Sequence, residues 1–82
     1  MKFNIKKVKK MFLEKGITDC EVRLPGCENS WLTFAHRYKR RFYPAKGDIN
    51  GYDQIVMACM KCHQKMEQDK DLTKEVFNRL RP

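Results

Sequence analysis

The sequence predicts a small α+β domain: a ββα unit closed by two pairs of cysteines and flanked by an N-terminal and a C-terminal helix. Three observations carry this reading. The chain has 82 residues, of which 41% are hydrophobic, so one domain is expected, with a core too small to be stable without reinforcement. Cys20 and Cys27 form one close pair and Cys59 and Cys62 another, with a long gap between. Around them the apolar pattern changes from helix period to strand period and back.

Each element has its own signal. Asn4 can cap a helix in which Ile5, Val8 and Phe12 recur at helical spacing, and Gly16 stands where a left-handed terminating residue is expected. Lys6, Lys7, Lys9 and Lys10 occupy its other face. The first cysteine loop follows, with turn chemistry at Leu24-Pro25-Gly26. Residues 31–36 (WLTFAH) are aromatic and β-branched and read as a strand, with Leu32, Phe34 and His36 on one face and Trp31 and Phe34 in the core. Residues 37–53 form a long polar loop, and loops of that length in small domains tend to carry function. Residues 54–58 (QIVMA) read as a second strand, and Cys59 to Cys62 turn the chain into a helix that runs to about Asp69. Leu72, Val76, Phe77 and Leu80 mark a last helix, capped by Thr73 or Asp71. No repeat or linker divides the chain. The expected division is a basic N-terminal helix over 1–16, a stapled core over 17–70 and a C-terminal helix over 71–82, all within one domain over 1–82.

The formal net charge is +8. The longest unbroken apolar run, Ile55 to Met60, is far below the ~20 residues that span a bilayer. The first residues, Met1 to Lys6, have no apolar stretch behind their charges, so an intracellular, cytoplasmic protein with no membrane partner is expected.

Two thiolate pairs that converge suit a tetrahedral structural zinc, with Cys20, Cys27, Cys59 and Cys62 as its ligands. Two disulfides are the competing use of the same residues. A reducing compartment favours zinc. The Cys59-x2-Cys62 half is the stronger signal, because the spacer between Cys20 and Cys27 exceeds the usual knuckle.

Cations concentrate in two stretches: Lys2, Lys6, Lys7, Lys9, Lys10 and Lys15 near the first helix, and Arg37, Lys39, Arg40, Arg41 and Lys46 in the loop after His36. The loop cluster mixes arginine with Tyr38, Phe42 and Tyr43 and contains no interleaved acid. That composition suits phosphate contacts with aromatic packing, and hence DNA binding with little sequence preference through Arg37, Lys39, Arg40 and Arg41.

The chain has two histidines, His36 at the end of the first strand and His63 directly after the last cysteine. Singly, each reads most simply as a satisfied polar residue or an alternative metal ligand. Jointly, the run Cys20-Glu21-Val22-Arg23, Gly26-Cys27, then Phe34-Ala35-His36-Arg37, then Ile55-Val56-Met57-Ala58-Cys59 and Cys62-His63 resembles the HNH endonucleases. It looks most like the small zinc-stapled members, of the His-Me finger type, found among bacteriophage proteins. The likeness covers about residues 17–68. It implies a ββα-metal fold and metal-dependent DNA cleavage, and one metal with one base suits nicking one strand at a time. His36 would be the general base, and His63 would ligate a catalytic divalent ion (Mg2+, Mn2+, Ni2+ or Zn2+). The family has Asp or His before the base as a metal ligand, where this chain has Ala35. Its central Asn corresponds here to Asp53 or Gln54, and Asp53 would supply an oxygen ligand beside His63. A monomer or weak dimer acting alone or in a larger phage or DNA-processing complex fits this reading. Two other classes fit the same charge: a non-catalytic zinc-binding DNA-binding module, and an adaptor that presents its basic helix to an acidic protein.

Overall fold

The computed structural model describes residues 2–82. The elements run α1 (Ile5–Glu14), β1 (Leu32–His36), β2 (Ile55–Cys59), α2 (Met60–Gln68) and α3 (Lys70–Leu80), with single 3-10 turns at Arg40–Phe42 and Tyr52–Gln54. This is an α+β arrangement of three helices and a two-stranded antiparallel sheet, in which Leu32 faces Cys59 and His36 faces Ile55. No helix among the described residues is long and apolar enough to cross a membrane.

The hairpin has α1 on one face and α2 and α3 on the other, and strand periodicity decides which residues go where. Ile55 and Met57 of β2 and Phe34 of β1 turn toward α1, where Val8 and Phe12 are buried. Val56, Ala58 and Ala35 turn the other way, onto Cys62 and Met66 of α2 and Val76 and Phe77 of α3. Phe12 sits edge-on to both Phe34 and Tyr52, with ring centroids 5.2 and 5.6 Å apart. Each fully buried side chain of this size contributes about 1.5–3 kcal/mol.

Local chemistry sets the ends of α1. The Asn4 side chain accepts a hydrogen bond from the Lys7 amide at 3.1 Å. At the other end Gly16 takes φ +76°, the Gly16 amide donates to the Leu13 carbonyl and the Ile17 amide to the Phe12 carbonyl. This is the double-bonded glycine termination, with Ile17 packed back on the core beside Phe12.

Three boundaries differ from the sequence expectation. Trp31 takes φ +52° and is 81% exposed, so β1 starts at Leu32 and Trp31 lies outside the core. Gln54 belongs to a 3-10 turn, so β2 is displaced by one residue and includes Cys59. Asp69, not Thr73 or Asp71, caps α3. Its carboxylate accepts from the amides of Asp71 and Leu72 at 3.0 and 3.1 Å. Thr73 instead donates its hydroxyl to the Met66 carbonyl, covering an end of α2.

The first cysteine loop docks along the free edge of β2. The Glu21 amide donates to the Met57 carbonyl, and the Met57 amide donates to the Glu21 carboxylate at 2.8 Å. Both oxygens of that carboxylate also accept from Arg81 Nη2, at 2.8 Å each. Arg81 is 6% exposed, donates to the Tyr52 carbonyl and stacks over the Tyr52 ring at 3.8 Å. One buried ion pair therefore ties the last turn of the chain to the cysteine loop, β2 and the turn before β2. Glu21→Ala strands a buried guanidinium, so a loss of about 3–5 kcal/mol is expected in urea unfolding. A midpoint within experimental error of the parent would refute that role for the pair.

Candidate metal centre and cleft

Cys20 and Cys27 come from the docked loop, Cys59 ends β2 and Cys62 lies in the first turn of α2. Their sulfurs all lie within 4.8 Å of one another, and those of Cys27 and Cys59 are 3.6 Å apart. A tetrahedral ion with bonds of about 2.3 Å holds its ligand sulfurs about 3.8 Å apart. A disulfide needs about 2.05 Å, and all four cysteines are free. The set could hold a structural metal ion, and four thiolates in tetrahedral reach suit zinc.

The backbone is arranged for negative sulfur. Burial pushes the Cys59 thiol up, but hydrogen bonds from the Cys62 and Glu28 amides and from the neighbouring thiols outweigh it and hold Cys59 down at about 6. Cys62 is pushed up to about 12, chiefly by burial, against a hydrogen bond from the Leu24 amide. Cys27 is also raised by burial, against a hydrogen bond from the Asn29 amide. Four sulfurs this close cannot all ionise without a cation among them. The loop also carries left-handed non-glycine residues, Arg23 at φ +51° and Asn29 at φ +50°. Asn29 closes the loop by accepting from the Cys20 amide at 2.8 Å.

A cleft of about 890 Å³ opens between the end of β1, the following loop, α2 and α3. Both histidines line it. His36 makes a 2.9 Å hydrogen bond from Nε2 to the Ile49 carbonyl. A carbonyl only accepts, so Nε2 carries the proton and the lone pair of the neutral ring sits on Nδ1. The Phe3 ring stands edge-on to His36 at 4.7 Å, and the Arg40 guanidinium covers Phe3 at 4.8 Å. Asn50 holds Phe3 there: its side chain accepts from the Asn4 amide at 2.7 Å and donates to the Lys2 carbonyl. Residues 49 and 50 thus grip the ring through one carbonyl and the segment packed on it through one side chain. Burial lowers the His36 pKa below 6.5, and the charges of Arg40 and His63 add to this, against the Ile49 carbonyl.

His63 is held differently. Thr33 gives its hydroxyl proton to the Ala58 carbonyl and sits 2.7 Å from His63 Nδ1. The other nitrogen, Nε2, lies 3.2 Å from Oε1 of Glu67, one helical turn on. This nitrogen–oxygen pair at the cleft wall can share a proton or a divalent cation between its two atoms.

Other expected site residues are placed less favourably. Asp53 does not line the cleft. The 3-10 turn carries it outward, and its carboxylate accepts from the Gln54 side chain at 2.9 Å. Glu67 therefore replaces it as the carboxylate beside His63. The signal was present as i,i+4 spacing from His63 on one helix face. Gln54 is buried and takes a hydrogen bond from the Tyr43 hydroxyl, so it braces the loop rather than serving as a ligand. Ala35 is buried in the hairpin and offers no ligand atom. Lys39 and Arg40 line the cleft, and Arg41 stacks on Phe42 outside it. Arg37 lines the cleft but is tied down, with its guanidinium donating to the Asp53 and Arg81 carbonyls and lying over Phe77. No family model, curated protein or solved structure matches the chain.

Two measurements check this geometry. Cys62→Ser, or a strong chelator, is expected to abolish cooperative folding, since zinc in such sites supplies ~10–16 kcal/mol. A chelator-treated protein with the parent's melting curve would show that no metal holds the fold. His36 is expected to titrate by NMR below 6.5. The fold favours the neutral ring, so its contribution to stability is complete above the unfolded pKa. That contribution is lost as pH falls from there toward the depressed folded value. A midpoint above 6.5 would contradict the burial argument.

Proposed function

We propose that this protein is a metal-dependent DNA endonuclease of the HNH type, built on a structural zinc and nicking one strand at a time with little sequence preference. The observation that carries the reading is the His36–Ile49 hydrogen bond in a cleft that His63, Lys39 and Arg40 share. A base needs a fixed lone pair, and this contact fixes one on Nδ1. The lowered pKa keeps the ring neutral, and so able to take a proton, at neutral pH.

In this mechanism His36 removes a proton from water as the water oxygen bonds to phosphorus. The phosphorus–O3′ bond breaks, leaving a 5′ phosphate and, once the leaving oxygen is protonated, a 3′ hydroxyl. Arg40 and Lys39 offset the charge that grows on the phosphate oxygens. His63 and Glu67 fit a divalent ion, as an imidazole nitrogen and a hard oxygen 3.2 Å apart. When bound, that ion supplies Lewis-acid stabilisation of the leaving oxygen. Phe3 and Asn50 keep the His36 ring in place.

A second reading, a non-catalytic zinc-binding DNA-binding module, draws on Ala35, since the hairpin offers no ligand where related enzymes have one. Relaxation of supercoiled plasmid with Mg2+, Mn2+ or Ni2+ separates the two. The enzyme reading predicts metal-dependent nicking that falls about 10²–10⁴-fold in His36→Ala. Nicking unchanged by that substitution would remove the base assignment. DNA retardation with no nicking under any metal would establish the binding module instead.

A further inference from the structure

The loop after β1 is one wall of the cleft, and α3 supplies another. Lys70, Lys74 and Asn78 recur at i, i+4 and i+8 and line the cleft, whereas the acids of the same helix, Asp71 and Glu75, do not. A helix sequence that reads as mixed charge is therefore sorted by its period into a cationic cleft side and an acidic side away from it. Lys70 and Lys74 are exposed, and neither makes an ion pair among the described residues. Asn78 accepts from the Arg37 guanidinium at 3.5 Å, which links the two walls at one end. Among the described residues the only acid lining the cleft is Glu67, which pairs with His63.

From this placement we infer that α3 is a phosphate-binding wall: Lys70 and Lys74 contact the DNA backbone across the cleft from Lys39 and Arg40. The inference rests on the DNA reading above and extends it, because neither lysine belongs to the arginine-rich loop. The occupant is a polyanion with charges spaced along its length. Cations on two walls and a base between them match a phosphodiester strand lying along the cleft better than a single small anion.

The test is fluorescence anisotropy with a short labelled DNA duplex of mixed sequence, over a range of salt and without added divalent ion. Three proteins are compared: the parent, Lys70→Gln/Lys74→Gln, and Lys6→Gln/Lys7→Gln. The last removes the same charge from α1, whose residues do not line the cleft. Both double variants alter exposed helix positions and should melt like the parent. The inference predicts that the α3 variant loses about 2 from the slope of log K against log salt, at about 0.9 per phosphate contact. The α1 variant should keep the parent's slope. Equal slopes for the parent and the α3 variant would overturn the α3 wall while leaving the DNA reading intact. Equal losses in the two variants would also overturn it, showing diffuse attraction by net charge. A parent that binds no duplex at low salt would overturn the DNA reading, and the α3 wall with it.

Discussion

Convergence of four sulfurs is the constraint on which the rest depends. Two of them belong to a loop with almost no regular structure, and two belong to the junction of β2 and α2. When the sulfurs meet, the loop is pressed onto the free edge of β2 and α2 is fixed in direction at its first turn. His63 follows the last of these cysteines directly, so the same convergence sets where its ring stands. The left-handed residues in the loop and the amides aimed at sulfur are the backbone's side of this arrangement.

The buried Glu21–Arg81 pair is a second closure that acts on the same parts. A carboxylate in the cysteine loop holds the end of α3, and α3 packs against α2. Arg81 also lies on Tyr52, in the turn that leads into β2. The cysteine cluster and the ion pair thus meet the second strand near both of its ends. A chain with so small a core gains rigidity where the cleft needs it, in the strand and helix that flank both histidines.

The cleft shows how burial and charge divide the work. His36 is tied by a backbone carbonyl and by an aromatic ring from the N-terminal segment, contacts that favour a neutral imidazole with one free nitrogen. His63 sits beside a carboxylate, in a setting suited to a cation. The cationic side chains split similarly. Arg37 is drawn into the contacts that join loop to C-terminal helix, so charge in the sequence does not by itself mean charge free for a ligand. Lys39 and Arg40 remain at the cleft surface.

Local signals carried much of this in the sequence alone. Asn4 and Gly16 set the limits of α1, apolar periods gave the helices and strands, and the cysteine spacing indicated a metal-sized cluster. These are short-range properties, governed by backbone geometry and side-chain chemistry within a few residues. What tertiary structure decided was which distant groups share a surface. Trp31 left the core because a left-handed backbone turned it outward. Asp53 stands in a 3-10 turn away from the cleft, and the carboxylate beside His63 is that of Glu67. Asp69 took the cap because it is the single residue between the end of α2 and the start of α3. Glu21 found Arg81, and α3 lent its lysines to the cleft, through contacts between residues far apart in sequence. Periodicity fixes the face a side chain occupies, but only packing fixes what that face meets.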